Sequence, residues 1–136
     1  MKAITRIEQC LAMALASAED PSCPPKLAGA VRHAVFPGGA RVRPQLTLAV
    51  AQACGMDDAR LSEGVAVAIE LMHCASLVHD DMPTFDNADF RRGQPTVHKA
   101  FSEPLALLTG DGLIVMAYQV LLQAGRSYPE RLIELM

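Results

Sequence analysis

The chain reads LSEGVAVAIELMHCASLVHD over residues 61–80 and DMPTFDNADFRRG over residues 81–93, and these two runs decide its fold. The first run is mostly apolar and predicts a long buried helix, from about 59 to 81. Its end opens a charged stretch in which four aspartates are followed directly by two arginines. Such a stretch makes a poor core but can hold a polyanion, because divalent cations bridge carboxylates to phosphate and arginines bind phosphate oxygens directly.

The spacing of the charged residues suits a helix that is interrupted. His73 lies two turns before Asp80 on nearly the same helical face. The next carboxylate on that face would come at position 84, but it comes two residues later, at Asp86. Pro83 is predicted to kink the helix, so that two residues loop out before Asp86 returns to Asp80. The alternative interpretation is a solvated turn, since Asp, Asn and Gly are common in turns.

The composition indicates an all-α domain. The 136 residues suffice for one domain with a core, and 51% are hydrophobic but only 4% aromatic. No segment of useful length alternates with the period of a strand. Helices are predicted at 3–18, from Pro24-Pro25 to about 36, and at 43–53, 59–81, 97–101, 104–122 and 130–136.

Charge and cysteine spacing exclude several classes of protein. A net charge of −3 argues against a nucleic-acid partner. The four cysteines lack the spacing of a metal site or a disulfide framework and are interpreted as small buried thiols in a reducing cytoplasm. The amphipathic N-terminus lacks the apolar block of a signal peptide, and no apolar run of membrane-spanning length is without a charge or a proline. We therefore expect a soluble cytoplasmic protein with no membrane span.

Four motifs follow one another along the chain. They are GGARVRP at 38–44, ELMHCASLVHDDMPTFD at 70–86, FRRGQPTVHKAF at 90–101 and LLTGDGL at 107–113. In order and spacing they closely resemble the first half of a trans-isoprenyl diphosphate synthase, of the polyprenyl synthetase family. The nearest type is the short-chain bacterial one that makes geranylgeranyl or farnesyl diphosphate, in particular the geranylgeranyl type of carotenoid and bacteriochlorophyll pathways.

The resemblance implies a fold and a reaction. The fold is an all-helical bundle around a deep central cavity, usually a homodimer, of which residues 1–136 would be the N-terminal part of a single domain. The reaction ionises an allylic diphosphate with magnesium, or manganese, and condenses the carbocation with isopentenyl diphosphate. Because a second aspartate-rich motif is expected beyond residue 136, residues 1–136 alone are expected to be inactive.

Site residues are implied position by position. Asp80 and Asp86 resemble the metal ligands of the first aspartate-rich motif, and Asp81 resembles its supporting carboxylate. Arg91 resembles the arginine that binds the allylic diphosphate. The residues that resemble the isopentenyl diphosphate site are Arg43, His73 and Arg92.

Product length is implied by the residues four and five positions before Asp80. A bulky aromatic there stops growth at fifteen carbons in the family, whereas this chain has Ala75 and Ser76. Both are small, so a C20 product is expected, with Met72 as the floor of the cavity. Farnesyl diphosphate is the alternative product, and the alternative role for the two small residues is close helix packing.

The chain departs from the family pattern at Ala40, where GGKRxRP has its lysine. Arg41 is a candidate to compensate for the lost ammonium group. Two other functions stay open: a non-catalytic homologue or fragment that binds and modulates a full-length synthase, and a helical diphosphate-cleaving cyclase. A cyclase has no need for a second diphosphate site, and therefore none for the GGxRxRP motif and His73.

Overall fold

A computed structural model of the protein describes residues 3–36, 38–56 and 58–130, and within them the fold is helical. The helices are α1 (Ala3–Leu15), α2 (Pro25–Val35), α3 (Val42–Ala53), α4 (Ala59–Asp80), α5 (Val97–Ala100) and α6 (Glu103–Ala124). A 3₁₀ turn, Ala16–Glu19, follows α1. A small antiparallel hairpin joins β1 (Phe90–Arg91) to β2 (Gln94–Pro95).

The predicted all-α class is confirmed, although some elements differ from their predictions. Helix α1 ends at Leu15 and its predicted last turn is 3₁₀. The hairpin was not predicted, because strands of two residues show no periodicity. The predicted helix over 130–136 lies almost wholly outside the described residues.

Helix α4 is central to the fold and is capped at its start. The Asp58 carboxylate accepts a hydrogen bond from the Leu61 amide at 3.1 Å, which satisfies one of the amide groups left open in the first turn. The helix does not kink but ends at Asp80, three residues before Pro83. Since a proline disfavours the helical conformation in the residue before it, the chain leaves the helix in a series of turns.

The core lies where α4 and α6 meet helices α1 and α2. Apolar side chains from each element are buried there, among them Leu11, Leu71 and Leu113, all fully buried. Of the four cysteines, all present as free thiols, Cys74 is buried in this core, and burial raises its pKa to about 11. Cys54 is exposed, so the interpretation of all four as buried thiols was wrong.

Helices α4 and α6 run antiparallel and approach very closely at two glycines. A Cβ atom on Gly64 would lie 2.2 Å from the Cβ of Ala124, near the start of α4 and the end of α6. At the opposite end, a Cβ atom on Gly110 would lie 2.0 Å from Nε2 of His79. The two contacts fix how α4 lies along α6. They therefore also fix the position of Asp80, the last residue of α4.

Two of the described helices are long and apolar enough to cross a membrane, α4 with a mean hydropathy of 1.5 and α6 with 1.7. Length and composition of this kind are also those of core helices in soluble proteins. Half of the apolar window of α4 is buried inside the protein. The finding is therefore weak evidence for a membrane span.

The close contact at Gly64 predicts opposite effects for two glycine substitutions. Gly64→Ala should lower the free energy of unfolding by about 1–3 kcal/mol, because two helix-bound Cβ atoms would have to move apart. Gly112→Ala is the matched control on α6: its Cβ would meet nothing within 4 Å. It should raise the free energy of unfolding by about 0.5–1 kcal/mol, because alanine favours the helix. Chemical denaturation measures both, and equal effects would contradict the helix contact.

Candidate active site

The loop after α4 turns back on the end of the helix. The amide of Asp86 donates to the carbonyl oxygen of Asp80 at 2.9 Å, and the amide of Ala88 donates to that of Asp81 at 3.0 Å. The chain thus returns to Asp80 at Asp86, as the spacing predicted. The side chains of Asp80 and Asp86 are exposed, so two carboxylates are available at the same end of the bundle.

Asp81 differs from its neighbour because it is buried, with only 3% of its surface exposed. Its two carboxylate oxygens accept hydrogen bonds from Nε and Nη2 of Arg91, both at 2.7 Å. This bidentate bond to Asp81 raises the pKa of Arg91, with Asp80 and Asp86 adding smaller attraction. Asp81 therefore orients Arg91 rather than facing solvent.

Arg92 is adjacent in sequence but has a different partner. Arg92 and Gly93 both have positive φ, 53° and 78°, as in a type I′ hairpin turn. The Arg92 side chain reaches the GGA loop, residues 38–40, where Nη1 donates to the carbonyl oxygen of Gly38 at 2.9 Å. A Cβ atom on Gly39 would lie 2.6 Å from the guanidinium carbon, so the absence of a side chain there makes room for Arg92.

A groove of about 510 Å³ opens between α4 and α6. Its polar lining comes from Arg43, His73 and Ser76, and its apolar lining includes Met72 and Tyr118. Burial lowers the pKa of His73, and the charge of Arg43 lowers it further. The imidazole is thus neutral near pH 7 and can donate one hydrogen bond.

The residues predicted to control product length fall on two sides of α4. Met72 and Ser76 line the groove and are exposed, and the Ser76 hydroxyl donates to the carbonyl oxygen of His73 at 2.8 Å. Ala75 is only 1% exposed and belongs to the hydrophobic core. Its small size accommodates helix packing, which was the alternative role considered for it.

The sequence matches the polyprenyl synthetase family over residues 24–136. The chain belongs to this family. It is 58% identical, over 130 residues, to the geranylgeranyl diphosphate synthase of Cereibacter sphaeroides, covering 96% of this chain and 45% of that protein. The farnesyl diphosphate synthase of Geobacillus stearothermophilus is 48% identical over 98 residues, covering 72% of this chain and 33% of that one.

A solved crystal structure has a similar fold. The crystal structure of geranyltransferase from Legionella pneumophila superposes with a TM-score of 0.83 at 40% identity, covering 90% of this chain and 42% of that one. The chain thus spans less than half the length of each of these three proteins. All the predicted site residues of this polyprenyl synthetase chain lie within the matched residues.

Arg41, which directly follows the GGA loop, has a role that the sequence did not reveal. Arg41 was a candidate to replace the lysine missing at Ala40, but its side chain is fully buried and bonded to Glu8 and Glu70. It therefore cannot reach a substrate. The only sequence signal was Glu70 itself, a carboxylate on an otherwise buried stretch of α4, which requires a buried partner.

The residues present fit a magnesium ion that the substrate helps to hold. In the part of the chain that the structure describes, no three His, Cys, Asp or Glu side chains gather as a ready metal site. Magnesium commonly takes only one or two carboxylates and completes its shell with water and substrate phosphates. Asp80 and Asp86 supply two exposed oxygen ligands of this kind.

Proposed function

We propose that the protein is a short-chain prenyl transferase that condenses isopentenyl diphosphate with an allylic diphosphate. The observation that carries this proposal is the divergence of Arg91 and Arg92. Arg91 is held by Asp81 at the end of α4, near the exposed carboxylates of Asp80 and Asp86. Arg92 is held at the GGA loop instead. Two separate cationic positions suit two diphosphates, and this favours a condensing enzyme over a cyclase that takes one.

In the proposed mechanism Asp80 and Asp86 would be the residues that hold magnesium at the allylic diphosphate site. Bound magnesium would neutralise negative charge on the departing diphosphate. Arg91, oriented by Asp81, binds oxygens of the same group through a charge-assisted hydrogen bond. No side chain acts as a nucleophile, because the work of the site is electrostatic stabilisation of a leaving group.

Isopentenyl diphosphate takes the second position. Arg43 and Arg92 supply the positive charge of this position, and neutral His73 donates a hydrogen bond to the diphosphate. The lowered pKa of His73 is consistent with this role, since the nearby arginines already provide the charge. Ala40 leaves this position one cation short of the family pattern, an observation that favours the alternative of a non-catalytic partner subunit.

We propose geranylgeranyl diphosphate as the product. The growing chain would lie in the groove past Ser76, with Met72 one helical turn deeper as its floor. The 58% identity to a protein named geranylgeranyl diphosphate synthase supports this product.

We further propose a cytoplasmic homodimer. Exposed apolar side chains on α3 and α6, such as Leu46 and Val115, offer surface for assembly.

The metal role predicts that two exposed aspartates, one at the end of α4 and one in the loop that follows it, differ sharply in their effect on turnover. In the protein as its gene encodes it, Asp80→Asn should lower the turnover number roughly 100-fold or more, because it removes a magnesium ligand. Asp89→Asn is the control: it is also an exposed carboxylate of the loop, but its partner is Lys99 at 2.9 Å. Its turnover should stay within about twofold of wild type, because the proposal gives Asp89 no metal to bind and a surface ion pair contributes only about 0–1 kcal/mol to stability. Incorporation of labelled isopentenyl diphosphate measures both.

Circular dichroism should show both aspartate variants to be folded. An Asp80→Asn variant as active as Asp89→Asn would contradict the proposed metal site. A wild-type protein without turnover in the presence of magnesium and both diphosphates would favour the partner-subunit alternative.

The groove predicts which small residue controls product length. Ser76→Phe should shift the product from C20 to C15, because the ring would fill the groove. Ala75→Phe should instead lower the free energy of unfolding by about 1–3 kcal/mol, because it overpacks the core. Chromatography of the products and thermal melting separate the two effects. A C20 product from Ser76→Phe would show that the chain does not grow along this groove.

A further inference from the structure

A cluster of three charged side chains, of which Arg41 and Glu70 are buried and Glu8 is partly exposed, lies next to the GGA loop. The Arg41 guanidinium donates from Nε to Glu8 at 2.7 Å, from Nη1 to Glu70 at 2.8 Å, and from Nη2 to the carbonyl oxygen of Val35 at 2.8 Å. Burial opposes the charged form of Arg41, but the bonds to the two carboxylates more than offset it and raise its pKa. One side chain thus joins α1, the end of α2 and α4.

The backbone at Arg41 is held in an uncommon conformation. Its φ is 47°, in the left-handed region, at the residue that caps the start of α3. A Cβ atom on the neighbouring Gly38 would lie 3.1 Å from Oε1 of Glu8, so the Glu8 carboxylate lies directly against the loop. Glu8 therefore packs against the GGA loop, and the left-handed conformation of Arg41 turns the chain from this loop into α3.

Stability alone gives a poor account of this cluster. Moving the Arg41 guanidinium and the Glu70 carboxylate out of water is costly, and replacing such a buried pair by apolar groups is often neutral or stabilising. The side chains of Arg41 and Glu70 are 0% and 2% exposed, so neither touches a substrate. The position of the cluster suggests what it does instead.

Two of the three polar groups proposed for the second diphosphate position lie next to the cluster along the chain. Arg43 follows Arg41 by two residues, in the first turn of α3, and His73 follows Glu70 by one turn of α4. The Arg41–Glu70 bond therefore ties together the backbone segments that carry Arg43 and His73. Glu8 holds Arg41 from the other side, from a helix that lies before residues 24–136.

We propose that Glu8 is a positioning residue that sets the affinity for isopentenyl diphosphate. Through Arg41 it holds the GGA loop and Arg43 at the distance from His73 that one diphosphate requires. The inference rests on the proposed function, and it gives α1 a part in substrate binding without any contact to substrate.

The test compares two ion pairs made by α1. Glu8 pairs with Arg41 beside the GGA loop, and Arg6 pairs with Glu63 of α4. Glu8→Gln keeps the shape of the side chain and leaves the buried Arg41–Glu70 bond in place. Arg6→Gln is the matched control, because Arg6 on the same helix pairs with Glu63 of α4, away from the GGA loop. Steady-state kinetics with each substrate varied in turn, together with the melting temperature, are measured on the protein as its gene encodes it.

Glu8→Gln should raise KM for isopentenyl diphosphate on the order of tenfold, the loss expected for one charge-assisted contact. KM for the allylic diphosphate and kcat should not change, and Glu8→Asp should restore part of the affinity. Arg6→Gln should change neither KM. Equal KM values in the two Gln variants, or a Glu8→Gln variant that fails to fold while Arg6→Gln folds, would overturn the positioning role. A wild type without turnover would overturn the proposed function together with this inference.

Discussion

The bidentate ion pair between Asp81 and Arg91 is the interaction on which the site depends. It joins the end of α4 to a hairpin whose strands are only two residues long. An isolated hairpin of this size is not stable in water. Because Asp81 is buried and Arg91 is partly buried, losing either partner would leave a charge without its counter-ion. The pair therefore holds the hairpin in place and fixes where its turn presents Arg92.

The ion pair can act in this way only because α4 ends at a defined position. The glycine contacts at Gly64 and Gly110 bring α4 and α6 so close that one helix cannot slide along the other without a clash. The same crossing leaves a groove beside His73 and Ser76. The packing of this one helix pair thus determines both where α4 presents its carboxylates and where the groove along α4 lies.

Helix positions could be predicted from the sequence where a helix buries a periodic apolar face, as α1 does with Ile7, Leu11 and Leu15. Helix α6 differs from its prediction by one residue at its start and two at its end. The pairing of Asp80 with Asp86 could also be predicted, since it depends on local spacing. Partners far apart in sequence could not: nothing local shows that Arg41 reaches back to Glu8, or that Arg92 reaches Gly38. Ala75 and Ser76 are equally small, and only packing shows that one lies in the core and the other in the groove.

The central claim is that Arg91 and Arg92, adjacent in sequence, serve different diphosphates. KM for both substrates in an Arg92→Ala variant tests it most directly, because among the residues that the structure describes Arg92 bonds to the carbonyl oxygen of Gly38 and to no buried carboxylate. The account predicts a KM for isopentenyl diphosphate raised roughly tenfold or more, with the KM for the allylic diphosphate within about twofold of wild type. Arg126→Ala, at an exposed arginine outside the site, should change neither. Equal increases for both substrates in Arg92→Ala would contradict the claim.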